Sequence, residues 1–296
     1  MSYALFLLFV LGVLFGSFLN VLSLRYDENS WLLSRKTLGG RSHCQHCKKT
    51  LGWHELIPVL SFIFLRGRCA SCKHKLSLEY PAIEILSGLI FFLVPLYFFS
   101  YKYTTHIFLW ESYWLHAFSV LWVFAMLALL LIAAIDYRKY LIPDELTGLL
   151  WFLGLVWVGM LYYSGDFGEI KGSFLGEYAS LFGVRNNLFI NHMLGSFTGA
   201  SGVFLVFFLS HGRAIGFGDA KLFGALGLLF GWADVVMVFF LSFVIGSIVS
   251  IPLLLKKEKT MKDFLPFAPF ISIASFLVFY FGNDIMRLYF SLFSLY

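Results

Sequence analysis

Apolar stretches of the length needed to cross a bilayer core, about 20 residues, recur along this chain from its first residues to its last. A soluble domain can bury one such stretch in its core, but not most of its length. Composition agrees: 59% of the 296 residues are hydrophobic and 13% charged, against roughly 25% charged in soluble domains. The expected fold class is an all-α polytopic membrane protein, with the lipid bilayer as its solvent. About eight transmembrane helices are expected, near Tyr3–Ser23, Pro81–Ser100, Trp114–Ile135, Glu145–Tyr163, Leu188–Ser210, Ala220–Trp232, Val235–Leu255 and Phe264–Phe281. Ala220–Trp232 is short for a crossing and also fits a re-entrant helix. The 36 phenylalanines read as apolar filler facing lipid, not as a cofactor box. No internal repeat is evident.

The first span has no Lys or Arg before it and Arg25 directly after it. That charge order is unlike a signal peptide and places the N-terminus outside. Of the 22 Lys and Arg residues, only Lys102, Lys171, Arg185 and Arg287 then fall in outside loops, the asymmetry that the positive-inside rule expects. Both termini lie outside in this arrangement. The net charge of +5 follows from the inside loops, and no nucleic-acid partner is implied. Three parts are expected: a first helix over residues 1–23, a polar cytoplasmic module over 24–80, and a membrane domain of about seven helices over 81–296. Inside the module, Leu56–Leu65 is apolar but too short to span. The outer segment Ser164–Asn187 is Gly-rich and polar and reads as a loop.

All four cysteines fall in the module as two pairs, Cys44-Gln-His-Cys47 and Cys69-Ala-Ser-Cys72, separated by 21 residues. Two such knuckles place four thiolates around one tetrahedral Zn²⁺. Basic neighbours, among them Lys48, Lys49, Arg68 and Lys73, favour the thiolates. A cytoplasmic placement opposes the competing disulfide reading. A closed four-thiolate shell leaves no open position, so this zinc is expected to be structural. His43, His46 and His74 read as surface residues beside the site.

Two carboxylates stand at the cytoplasmic ends of spans: Asp136, after the run Leu127–Ile135, and Asp219, in Gly216-Phe217-Gly218-Asp219-Ala220-Lys221. An acid at an apolar boundary is costly and marks a functional site by default. Two carboxylates packed together share a proton, so one can activate water while the other protonates a scissile carbonyl. Gly216 and Gly218 let a substrate backbone come close, and with Lys221 they form an expected substrate-approach loop. The plainer readings are ion pairs of Asp136 with Arg138 or Lys139, and of Asp219 with Lys221, or a helix cap at Asp219. Asp144, after Pro143, reads as an N-cap. The chain has no HExxH, no G-x-S-x-G and no phosphate-binding GxxxxGK[ST] loop.

The residues resemble the bifunctional type IV prepilin peptidases. Gly16-Ser17-Phe18-Leu19-Asn20-Val21 followed by Arg25 is similar to the family's first-helix motif. The two cysteine pairs, with Ile57-Pro58-Val59-Leu60-Ser61 and Leu65-Arg66-Gly67-Arg68-Cys69, resemble its cytoplasmic domain, and Tyr80-Pro81-Ala82-Ile83-Glu84 its second span. Asp136 with Leu141-Ile142-Pro143-Asp144, and the GxGD segment ending at Asp219, resemble its two aspartate motifs. The resemblance implies that Asp136 and Asp219 are catalytic. It implies prepilin and pseudopilin precursors as substrates, cut after a short basic leader at the cytoplasmic face of the bacterial inner membrane. It also implies methylation of the new N-terminus from S-adenosylmethionine, with no donor residues assigned. Asp136 and Asp219 are further apart in sequence than is usual for the family, an excess attributed to Ser164–Asn187. Two other classes stay open on the residues alone. A transporter would carry its carboxylates near the bilayer midplane. A zinc-anchored assembly protein without catalysis would tolerate Asp→Asn at both positions.

Overall fold

The computed structural model describes residues 2–28, 31–105, 112–164, 173–176, 178–179, 187–212, 215–256 and 265–292. Among these the chain is helical, and its only strand-like pairings are two isolated bridges in the cysteine module. The helices are α1 (Ser2–Arg25), α2 (Arg35–Leu38), α3 (Leu60–Phe64), α4 (Glu79–Thr105), α5 (Ser112–Lys139), α6 (Asp144–Ser164), α7 (Leu188–Leu209), α8 (Phe217–Phe230), α9 (Trp232–Leu255) and α10 (Ala268–Leu292), with a single 3-10 turn at Trp53–Glu55. Seven of them, all but α2, α3 and α8, are long and apolar enough to cross a membrane. The chain is a multipass membrane protein.

The span expected at Ala220–Trp232 is α8, and it differs from the other seven. Its 14 residues rise about 21 Å, short of the roughly 30 Å hydrocarbon core. Every residue from Asp219 to Phe230 except Lys221 is buried, so α8 is walled by protein and need not match the bilayer. The last expected span starts at Ala268 and runs on to Leu292, well past Phe281; Phe264 lies outside the described residues. So do Lys171, Arg185, Arg213, Lys257, Lys259, Lys262 and most of the segment Ser164–Asn187. The described part of that segment is not a solvated loop. Ser173, Phe174, Leu175 and Ala179 are buried, because the fully buried Asp234 at the start of α9 accepts the backbone N–H groups of Phe174 and Leu175 and the Ser173 hydroxyl at 3.1–3.3 Å.

Phe174 is thereby held against Trp122, with ring centroids 4.9 Å apart, and Trp122 also meets Trp157, Phe230 and Phe279 within 5.5 Å. Aromatic pairs at these separations add to area burial. The sequence reading of phenylalanine as lipid-facing filler therefore holds for Phe6, Phe152 and Phe197, which are exposed, and fails for Phe98, Phe118, Phe223, Phe230 and Phe279, which are fully buried. The hub is α5, with 83% of its most apolar window inside the bundle.

Lipid supplies no hydrophobic force between helices, so close backbone approach at small residues becomes decisive. Helices α7 and α8 run antiparallel with Gly195 against Gly227 and Gly199 against Phe223. A Cβ on Gly227 would lie 2.0 Å from the Gly195 carbonyl oxygen. Helices α1 and α4 meet in the same way, Gly12 against Gly88 and Gly16 against Glu84. Gly227→Ala is expected to cost roughly 1–3 kcal/mol by forcing α7 and α8 apart, read as a lower melting temperature in detergent. Gly148→Ala, at an exposed helical site with nothing within 4 Å, should show no such loss.

Candidate active site

Asp136 lies in the last turn of α5 and is buried. It owes its position to α10: the Ala268 N–H, an orphan donor at the start of a helix, bonds Asp136 Oδ2 at 2.9 Å. Asp219 lies in the first turn of α8, where its Oδ2 accepts the Gly216 N–H at 3.1 Å and closes that turn. Its other oxygen, Oδ1, is buried and has no hydrogen-bond partner among the described residues. Both carboxylates line one cavity of about 430 Å³, and the charge of Asp136 acts on Asp219. The walls come from the α5–α6 corner (Tyr140–Ile142), the approach to α8 (Gly212, Ile215, Gly216 and Gly218) and Leu265–Phe267 before α10. The short corner is possible because Tyr140 takes a left-handed backbone, φ 56°. It brings the end of α5 and the start of α6 to the same end of the bundle.

The simple ion pairs considered for the sequence are not what holds these acids. Arg138 pairs with Glu79 at 2.9 Å, Lys139 donates to the Tyr26 carbonyl, and Lys221 crosses the cavity to Asp144 at 2.9 Å. Asp144 is thus the first residue of α6 and a partner of Lys221, where the sequence suggested an N-cap. This pair is half to largely exposed and edges the cavity. The glycines also have a nearer reason than substrate approach. A Cβ on Gly218 would sit 3.2 Å from Ile142 Cβ, so Gly218 admits the chain's own corner.

The four cysteines converge. Their Sγ atoms all lie within 4.8 Å of one another, and Cys44 Sγ stands 3.9 Å from Cys72 Sγ. A tetrahedral shell with metal–sulfur bonds near 2.3 Å needs sulfurs about 3.8 Å apart, so the cluster fits one metal ion. Contrary to the sequence reading, the module does contain a repeat, with an offset of 25 residues. Cys44 and Cys69 donate to the carbonyls of Lys49 and His74, Lys48 and Lys73 donate back to Cys44 and Cys69, and the bridges His43–Thr50 and Arg68–Lys75 close both knuckles. Lys48 and Lys73 share the left-handed φ that makes this turn possible, 60° and 57°. Hydrogen bonds from the backbones of Cys72 and Ser71 lower the Cys69 thiol to about 6, while burial and the neighbouring thiols push Cys72 up to about 11, as expected of sulfurs crowded together.

Arg138 ties this module to the aspartates. Two residues past Asp136, its guanidinium holds Glu79 of α4, Ser23 and Asn20 of α1, and lies 5.6 Å from the Tyr80 ring centroid. Arg25 in turn grips the carbonyls of Thr37, Gly39, Gly40 and Arg41. Neither network has a signal in the sequence beyond the charges themselves.

Comparison with known proteins settles what carries this site. Residues 10–98 match the Bacterial Peptidase A24 N-terminal domain, and residues 122–251 match the Type IV leader peptidase family. A prepilin leader peptidase/N-methyltransferase of Aeromonas hydrophila is 30% identical, over 96% of this chain and 92% of its own. The chain belongs to the type IV leader peptidase family. Relatives with the same description include one from Bacillus subtilis (strain 168), 29% identical over 96% of each chain, and one from Legionella pneumophila, 30% identical over 84% of this chain and 75% of its own. No solved structure matches. The chain is therefore an enzyme with peptidase activity. Its first family segment spans the cysteine module, and its second carries both cavity aspartates. The third wall, Leu265–Ala268, lies beyond both segments. Its one signal in the sequence is Pro266 just before a helix start, which the span expected from Phe264 overlooked.

The metal assignment is tested by elemental analysis of the purified chain. One ion per chain is expected, falling to near zero in Cys44→Ser and Cys69→Ser, with residues 42–76 then opened to proteolysis. Full metal content in either variant would contradict a four-thiolate site.

Proposed function

We propose that the enzyme is an aspartic peptidase in which Asp136 and Asp219 are the catalytic pair. The observation that carries the reading is the shared cavity at one end of the bundle, with Asp219 Oδ1 buried and unpartnered in its wall. Two carboxylates held this close share a proton. The ionised member takes a proton from water as it attacks the scissile carbonyl carbon, and the protonated member donates to the carbonyl oxygen. Collapse of the tetrahedral intermediate then releases the amine, which takes up a proton, and the pair returns to its starting state. Fixed carboxylates out of bulk water act more strongly on the developing charge than they would in solvent. Gly216 and Gly218 with Lys221 edge the approach to this pair.

The substrates are prepilin and pseudopilin precursors of type IV pilus and type II secretion systems. Among the described residues, three carboxylates and one ammonium edge the cavity (Asp136, Asp144 and Asp219 against Lys221), so a basic leader meets an acidic entrance. The aspartates and the cysteine module belong at the cytoplasmic face of the bacterial inner membrane, because the Lys and Arg residues concentrate at that end; both termini lie outside, since α8, short as it is, returns the chain to Asn191 at the start of α7. In this arrangement residues 1–23 anchor a zinc module over 24–80, and 81–296 form the peptidase domain. Zinc is the metal that a closed four-thiolate shell favours, and it stabilises the module without taking part in cleavage. After cleavage the new N-terminus is methylated from S-adenosylmethionine.

Asp136→Asn and Asp219→Asn are expected to lower the cleavage rate of a prepilin-like substrate in lipid by at least about 10²-fold. Asn keeps an acceptor for the Ala268 or Gly216 N–H, so melting temperature and metal content should stay close to wild type. A folded variant that cleaves at the wild-type rate would remove that aspartate from the mechanism.

A further inference from the structure

The segment Leu56–Leu65 is apolar and too short to span, yet it lies beside the bundle at membrane depth. The charges Arg25, Glu79 and Arg138 mark where α1, α4 and α5 end on this side. Val59, just before α3, donates its N–H to the Glu84 carboxylate at 2.7 Å. Glu84 stands five residues into α4 from Glu79, or about 7 Å along the helix. Phe62 and Leu65 of α3 face the same gap as Ser17 of α1, which lies about 12 Å inside Arg25. A strained turn holds the segment there. The Leu60 N–H bonds the Pro58 carbonyl at 2.6 Å around Val59, whose φ is 60° and ψ −52°. This is the rare form of the three-residue turn, and a positive φ is an outlier for a β-branched residue. Such strain persists where surrounding structure over-determines it; here the bond to Glu84 does so.

The two faces of α3 meet different surroundings. Ser61, Phe62 and Leu65 look toward α1, whereas Leu60, Ile63 and Phe64 are 51%, 61% and 80% exposed, at the spacing of one helical stripe. Trp53, Leu56 and Ile57 just upstream are exposed as well. At the same level along the neighbouring helices, Phe18 of α1 and Leu86 of α4 are exposed too, so spans and module present apolar side chains to one medium. Soluble surfaces rarely leave so many large apolar groups together in water. Charge points the same way. Residues 31–78 carry nine Lys and Arg against one acid, Glu55, whose carboxylate accepts the Gly52 N–H. Arg66 and Arg68 follow α3 directly and are exposed. An apolar face at this depth, with a tryptophan beside it and cations at its edge, suits the boundary of an anionic bilayer. We propose that Leu56–Phe64 enters the bilayer leaflet on the module's side, with Ile63 and Phe64 among acyl chains and Arg66 and Arg68 at anionic phospholipid headgroups. The module is then a membrane contact in addition to the spans, and not a domain standing in water. Cys69 follows Arg68, so the inserted segment fixes the height of the cysteine knuckles at the bilayer surface.

The test places a photoreactive benzophenone side chain at Phe64 of the metal-loaded full chain. The chain is held in nanodiscs of equal parts phosphatidylglycerol and phosphatidylcholine, each with its own label on the acyl chains. Lipid capture is expected to match that of the same probe at the exposed Phe152 of α6, with phosphatidylglycerol favoured about fivefold. Arg66→Gln combined with Arg68→Gln should remove the preference while melting temperature and metal content stay at the wild-type values. Absence of lipid capture at Phe64, or capture of a second copy of the chain in its place, overturns the insertion. Equal capture of the two lipids with both arginines present overturns their assignment to headgroups. If the probe variant fails to fold, Trp53 decides. Its fluorescence, taken as wild type less Trp53→Phe, should be quenched by lipids brominated near the headgroup end of the acyl chain, and an unquenched Trp53 overturns the insertion.

Discussion

Helix α8 is too short to cross a bilayer core, and the organisation of the active end follows from how it is enclosed. A short helix survives at membrane depth only where protein covers it. Here the cover is α7, brought to backbone contact by Gly195 and Gly199, with α6 and α9 on its other sides. Because α8 is fixed along its length, its first turn is fixed too, and that turn carries Asp219. Asp136 reaches the same cavity from α5, the most enclosed helix of the bundle. Its carboxylate is moored to the first residue of α10.

The two carboxylates are not equivalent. Asp136 spends an oxygen on another helix, whereas Asp219 spends one on its own N-terminal turn and leaves the other buried without a partner. An unpaired buried acceptor costs free energy and belongs where a water or a substrate group completes it. Among the described residues, the cations closest in sequence to the pair bind elsewhere: Arg138 and Lys139 turn toward α1 and α4, and Lys221 reaches across to Asp144. The cysteine module is coupled to this end through Arg138 and Arg25. A change in the knuckles can therefore reach the aspartates through side chains already in contact.

Much of this was legible from local pattern. Hydropathy and charge marked the spans, because a bilayer imposes length and polarity directly on sequence. Cys44, Cys47, Cys69 and Cys72 were legible because a metal shell needs fixed local spacing, and Asp136 and Asp219 because acids at apolar boundaries are costly. What escaped depended on tertiary packing. The Asp144–Lys221 pair joins residues 77 apart, and Leu265–Ala268 gains meaning only from Asp136, far away in the chain. The 25-residue repeat of the knuckles was legible but overlooked: Cys44–Leu51 and Cys69–Leu76 share the pattern Cys-x-x-Cys-Lys-x-x-Leu, with the backbone turn at Lys48 and Lys73. The short α8 was suspected from its length, but the burial of its body, Leu222–Phe230, depended on glycine contacts that hydropathy does not encode.

The central claim is that the Asp136–Asp219 cavity is where the scissile bond lies. It is tested most directly by binding a prepilin-like substrate, with a photoreactive side chain next to that bond, to the Asp219→Asn enzyme in lipid, then mapping the cross-linked residues. Cross-links are expected in Tyr140–Asp144, Gly216–Lys221 or Leu265–Phe267. Cross-links confined to the cysteine module or to lipid-facing helix surfaces would contradict the account.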